Sequence, residues 1–386
     1  MFQKIHLDKE RILLIICSLI FLLASFRTGT SGDDALDYSV PNFIALLQNF
    51  SLPLIGLLML ISILINLGRV DKNNDIGVPV GLICYFIFQL IIILTAFLYK
   101  SDYQDFFVRG GFIVITFIYF FYVIRSLPLF KSIRHGVLIY FFYGACLFVA
   151  VNVLLSVYPG ASVVWKGRLF GVTAHPNFLG MCTALSWVVS FALFMYAKGF
   201  KAKVFFMAAV MLSIYGSILT GSRTSILSGT MGIIFMLAYT MKNSSFKPVL
   251  ILCMMFLGLY AYANLTLESL DFAGRGNTRE GTWASMLEQA SELPFFGYGK
   301  IGATTNAYLF SIVATGIFGS IFFFRSLIEL IRLFFYNLLQ NNKMIVNLFR
   351  GLAIFFLVSS TFEGYLLDSV SMPVFAYWLI LTYVKF

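Results

Sequence analysis

The chain has 386 residues, 60% of them hydrophobic and 11% charged, with 44 phenylalanines and a formal net charge of +10. Soluble domains carry roughly 25% charged residues, so this composition excludes a soluble globular protein and leaves a polytopic membrane protein.

The elements follow in chain order. Residues 1–26 have a basic start (Lys4, Lys9, Arg11) and an apolar stretch with no convincing small-x-small cleavage site, which reads as an uncleaved first span near 12–26. Further apolar windows, each long enough to cross about 30 Å of hydrocarbon, predict helices near 43–66, 76–99, 108–125, 136–157, 177–197, 203–220, 223–241, 247–263, 306–333, 346–361 and 369–385. The expected fold is all-α: a polytopic membrane helix bundle of about twelve transmembrane helices, forming a single domain over residues 1–386. The two halves show no internal repeat.

The lysines and arginines set the orientation. With both termini cytoplasmic, 17 of the 27 basic residues fall on the cytoplasmic side and nine outside, which is the bias the positive-inside rule requires. The net charge then serves as an inner-leaflet anchor, and no nucleic-acid partner is expected. All five cysteines lie within spans, and the three histidines are dispersed without an H-E-x-x-H or C-x-x-C pattern. Neither a disulfide framework nor a metal is implied.

Basic residues placed outside against this bias need a reason. The segment 167–180, GRLFGVTAHPNFLG, enters the sixth span from the outer side and brings Arg168, His175 and Asn177 there, with Lys166 just before it. Pro176 suits a first helical position. The plainer reading of His175 is a helix-entry residue bonded to backbone; the sharper one is a proton carrier or a phosphate hydrogen bond. In LTGSRTSIL (219–227), Ser222 can cap the eighth span beside Arg223, and a helix N-terminus with an adjacent arginine is an anion site.

The connection 264–305 is far longer than any other, which marks it as functional. Within it Asn277 and Glu280 form a capping-box-like start, Trp283, Met286, Leu287 and Ala290 repeat at helical spacing, and Pro294 closes an amphipathic outer helix of about four turns. Arg275 and Arg279, four residues apart, can converge on one phosphate. Snorkelling to headgroups, or pairing with Glu268, Asp271 or Glu280, is the competing reading for these arginines. GYGKIG (297–302) matches G-x-G-x-x-G but follows a helix and opens no βαβ unit, so it predicts no nucleotide site. Arg325 and Glu329, at i and i+4, are expected to neutralise each other inside the bundle.

RLFGVTAHPNFLG, the TGSRTS turn, a large outer loop reading Arg, Trp, PFFGYG and then NAYLFSIVATGIFG, and the late FEGYLLDSVSMPVFAYW together resemble the O-antigen polymerase and O-antigen ligase superfamily of bacterial envelope proteins. The resemblance covers roughly residues 165–380. It implies a multi-pass protein of the bacterial inner membrane that handles glycans carried on undecaprenyl diphosphate at the outer face, without metal or other cofactor. Flippase and chain-length regulator proteins would be its partners, besides the lipid bilayer.

Carried over by motif position, Arg223 and Arg275 or Arg279, with Arg168 and Lys166, would hold the donor's diphosphate, while Asn177, Trp283, Tyr298 and Asn306 would contact substrate. Candidate general bases are His175, Glu268, Asp271, Glu280 and Glu363, which the residues do not rank. Family ligases have a His directly before the loop Asn; here Thr305 precedes Asn306, and a threonine hydroxyl is no base near neutral pH. The departure favours a repeat-unit polymerase, an inverting and metal-independent glycosyltransferase. Its alternatives are a ligase that moves the glycan to lipid A core or protein, and a flippase or transporter of the lipid-linked unit.

Overall fold

The computed structural model describes residues 2–26, 38–67, 79–100, 103–132, 135–173, 175–240, 279–299, 305–335 and 343–384. The expected span 247–263, and Glu268, Asp271 and Arg275, lie outside the described residues. Twelve α-helices are described: α1 (Phe2–Leu23), α2 (Asn42–Asn66), α3 (Val80–Lys100), α4 (Tyr103–Ile118), α5 (Val137–Val157), α6 (Pro176–Tyr196), α7 (Phe200–Thr220), α8 (Arg223–Thr240), α9 (Arg279–Glu292), α10 (Ala307–Phe335), α11 (Lys343–Phe362) and α12 (Met372–Tyr383). A two-stranded hairpin, β1 (Val164–Trp165) and β2 (Arg168–Leu169), precedes α6.

Helix α2 shows the solvent for which the fold is built. Its buried stripe, at spacings of three and four, includes Gln48, Ser51, Ser62 and Asn66, whereas Phe43, Leu46, Phe50, Leu57 and Leu64 are exposed. Polar groups turned inward and large apolar groups turned outward reverse the pattern of a soluble helix and suit a lipid surround. Among the described residues, eight helices are long and apolar enough to cross a membrane. The chain is therefore an all-α, multi-pass membrane protein.

Three further expected spans differ from that standard. The first half of α1 carries Lys4, Asp8, Lys9, Glu10 and Arg11, and α8 is diluted by Arg223 and several Ser, Thr and Gly residues. At 1.5 Å per residue α12 reaches only about 18 Å. All twelve of its residues are buried, so it is a central core helix with no lipid face of its own.

Cross-links sort the helix ends into two sets. One end joins Ser39 to Ser162 by backbone pairing, Ser51 to the Phe26 carbonyl, and Arg168 to the Thr220 carbonyl. The opposite end joins the Tyr383 hydroxyl to the carbonyls of Ile124 and Leu127, His135 to Glu10, and Arg350 to the Leu333 carbonyl. Helices α1, α2, α5, α6 and α7 thus alternate in direction, and the first of these ends carries the candidate site.

The expected tenth span, 306–333, is corrected. At Gly316, with φ 62° and ψ −172°, the helix is interrupted. The Tyr308 ring stacks on Phe324 at 6.3 Å between centroids and lies 6.5 Å from Phe323. In one straight helix residues fifteen apart would be about 22 Å from each other. The first arm, 307–315, must therefore fold back along the second, and Tyr308 donates to the Leu357 carbonyl of α11 from inside the bundle. The second arm alone, about 28 Å long, can still cross the hydrocarbon.

Residues 294–299 close this break. Tyr298 and Gly299 amides donate to the last carbonyls of the first arm, Val313 and Ala314, while the carbonyls of Pro294 and Phe295 accept from Ile317 and Phe318 at the start of the second. Backbone groups that helix ends leave unpaired are thereby satisfied. The GYG motif gains its explanation here. A Cβ on Gly297 would lie 2.5 Å from the Gly316 nitrogen, and one on Gly299 would lie 2.3 Å from the Ala96 nitrogen of α3. These glycines permit backbone to press on backbone.

The buried Glu329 carboxylate pairs with Arg325, as expected, and also with Arg332 at 3.4 Å.

Candidate functional site

The site begins with a loop that two membrane helices pull inward. The Asn152 side-chain oxygen on α5 accepts from the Val172 amide at 2.8 Å, and Gln48 on α2 donates to the Val172 carbonyl at 3.2 Å. Gly171, at φ 60°, makes the approach possible, since any Cβ would overlap the Asn152 amide. Thr173 then bonds the carbonyls of Phe170 and His175 and steers the chain into α6.

His175 caps that helix. Its Nδ1 accepts from the Asn177 amide at 3.1 Å, with Pro176 at the first helical position. A neutral imidazole that accepts at Nδ1 carries its proton at Nε2. The helix-entry reading thus describes the backbone contact of His175.

Three charged or polar residues then meet, two of them close in sequence and the third, Glu363, far along the chain. Arg168 on β2 donates through Nε to the Thr220 carbonyl at the end of α7 and through Nη2 to the Asn177 side-chain oxygen. The Asn177 amide nitrogen in turn donates to Oε1 of Glu363, just past α11, at 3.0 Å. Because Asn177 accepts from a guanidinium and donates to a carboxylate, its amide has one sensible orientation. Gly221, in the left-handed region at φ 57°, ends α7 against the Arg168 side chain, which a Cβ there would approach to 3.3 Å. The turn continues into Ser222, whose hydroxyl receives the Ser225 amide at 3.4 Å, so that Arg223 stands half-buried on the first turn of α8.

The structure thus gathers Arg168, His175, Asn177, Arg223 and Glu363 at one end of the bundle. Lys166 occupies the adjoining hairpin turn, its ammonium 4.7 Å from the centre of the Trp165 ring. The positive charge of Arg168 and Arg223, the start of α8 and the Glu363 carboxylate together suit a polar ligand that bears an anion and a hydroxyl.

The other sequence-derived candidates lie elsewhere or have other contacts. Asn306, at φ 63°, caps the first arm of α10, its side-chain oxygen accepting from the amides of Tyr308 and Leu309 at 3.1 Å each. Tyr298 donates to Glu292 and packs beside Tyr99. The Glu292 carboxylate as acceptor, with burial adding to it, pushes the Tyr298 phenol up to about 12, so at neutral pH it is a protonated donor.

In α9 the inward stripe is Trp283, Met286 and Ala290, all packed on the core, whereas Leu287, expected on that face, is 56% exposed. The stripe is narrower than expected because α9 rests on the bundle along one ridge. Arg279 and Glu280 form its first turn, and only their backbone is described.

Several contributors escaped the sequence. Gln48 and Asn152 had a visible signal, a polar side chain within an apolar run, and the Thr220 carbonyl had none. Trp165 also belongs here: in the hairpin it is paired in register with Arg168, and its ring meets His175 edge-on at 6.0 Å. The chain matches no protein-family model and no curated protein, so its residues and their geometry carry the functional argument.

Proposed function

We propose that this protein is a polysaccharide repeat-unit polymerase, which joins oligosaccharides carried on undecaprenyl diphosphate at the outer face of the cytoplasmic membrane. The observation that carries the reading is the Arg168–Asn177–Glu363 chain beside Arg223 at the start of α8. It sets a carboxylate and fixed cationic groups at the end of the bundle that the charge bias of the sequence turns outward.

In the reaction, a hydroxyl of one lipid-linked unit attacks the anomeric carbon of the growing chain, the bond to the diphosphate oxygen breaks, and undecaprenyl diphosphate leaves. Glu363 takes the hydroxyl proton. Among the described residues it is the candidate carboxylate held in the cluster, and Nδ1 of His175 is engaged by the Asn177 amide. Asn177, itself held by Arg168, orients Glu363. Arg223, with Arg275 and Arg279 of the outer loop, meets the charge developing on the leaving group, an effect worth several kcal/mol in preorganised sites.

The test is to incubate purified protein with lipid-linked repeat units. Longer lipid-linked chains are expected. Activity only in transferring finished polymer to another acceptor would make the protein a ligase, and passage of the unit across a vesicle membrane without elongation would make it a flippase.

A further inference from the structure

We infer that Trp165 is the floor of a sugar subsite, a platform on which a pyranose ring of the substrate stacks while its hydroxyls meet Arg168, Asn177 and Glu363. The inference rests on the glycan-transfer reading above and adds to it the place where a sugar is recognised.

The hairpin supplies the geometry. Lys166 and Gly167 both have positive φ, 48° and 71°, the pattern of a two-residue type I′ turn, whose twist matches that of the strands it joins. Such a turn fixes the register, and here it pairs Trp165 directly with Arg168. Directly opposed residues of an antiparallel pair project to the same face of the ribbon, with Cβ atoms about 4.5–5.5 Å apart. Arg168 is tied to Asn177 and through it to Glu363. The indole is therefore set beside the polar chain by backbone pairing, and its edge is braced by His175.

The ring has no core to fill. It stands half-buried next to the exposed turn residues Lys166 and Gly167, with the Lys166 ammonium over one face. A lysine over an indole shows that the face is accessible to a group carrying partial positive charge. The axial C–H groups of a pyranose form such a surface, apolar and slightly positive, and stack on the negative face of an aromatic ring. An aromatic floor with a few convergent polar groups at its side is the composition of a small-molecule subsite. A guanidinium, a carboxamide and a carboxylate are planar groups able to engage neighbouring hydroxyls. Binding would move the flexible lysine aside.

The competing role for a tryptophan at a membrane boundary is anchorage in the headgroup layer. Protein in nanodiscs separates the two. The soluble, lipid-free repeat-unit oligosaccharide should change the intrinsic fluorescence saturably in the wild type, and this signal should vanish in Trp165→Phe, while nanodiscs with brominated lipid chains should quench both proteins alike. In polymerisation assays Trp165→Ala should raise KM for the lipid-linked unit about tenfold and leave kcat within about threefold, and Trp165→Phe should keep KM close to wild type, since aromatic contact is the quantity removed or retained.

An unchanged KM in Trp165→Ala, or quenching of Trp165 by brominated lipid with no response to oligosaccharide, would overturn the subsite. Saturable oligosaccharide binding at Trp165 in a protein that forms no polymer would uphold it and refute the polymerase reading.

Discussion

Replacing Gly316 by alanine tests the hairpin that breaks the tenth apolar run. At φ 62° and ψ −172° this residue occupies a region open essentially to glycine alone, and occupying it with a side chain costs about 1–3 kcal/mol. The added Cβ would lie 2.1 Å from the Phe295 carbonyl carbon and oxygen and 2.3 Å from the Phe296 nitrogen, so the 294–299 segment must retreat. Retreat weakens the four backbone hydrogen bonds that close the break, each worth about 0.5–1.5 kcal/mol net. A total loss of roughly 3–5 kcal/mol follows. Denaturant unfolding in detergent measures it, with amide exchange at Tyr298, Gly299, Ile317 and Phe318 as the local readout. Gly111→Ala is the control: a Cβ there meets nothing within 4 Å on helix α4, and alanine should be neutral or stabilise by up to about 1 kcal/mol. If Gly316→Ala unfolds with the wild type and keeps amide protection at Tyr298 and Gly299, the break is not held as described.

Arg223→Ala should abolish polymer while the protein remains in the membrane, and Arg223→Lys should restore it only in part because the bidentate fork is gone; full activity of the alanine variant in the elongation assay would remove Arg223 from the site. Glu363→Gln keeps the Asn177 contact but not the base, so elongation should fall on the order of 10²-fold, whereas Thr305→Ala should retain most activity, both read as initial rates. Asn152→Leu removes the acceptor for the buried Val172 amide and should cost about 1–3 kcal/mol in unfolding experiments, with a smaller cost marking that amide as solvated. In a background without reactive cysteines, Ser291→Cys, exposed on α9, should react with a membrane-impermeant thiol reagent from outside the cytoplasmic membrane; reaction only from the cytoplasmic side would invert the topology and sink the mechanism.

Much of this molecule could be read from one dimension. The length of an apolar run is a local property, and a helix that satisfies its own backbone is the form such a run takes in lipid, so spans such as 43–66, 136–157 and 203–220 fall within a few residues of α2, α5 and α7. The candidate site was partly legible for a related reason. Capping residues act within a few positions of themselves, and His175, Pro176, Asn177, Ser222 and Arg223 stand where their local chemistry places them. Tertiary structure decided what depends on two distant segments at once. Asn177 and Glu363 are 186 positions apart and meet because α6 starts at the end of the bundle where α11 finishes. The run 306–333 is predominantly apolar, and its hydropathy is the same whether it forms one helix or two arms folded together. The choice depends on the carbonyls and amides of residues 294–299, which pair with the helix ends at Gly316 where a continuous helix would have bonded to itself.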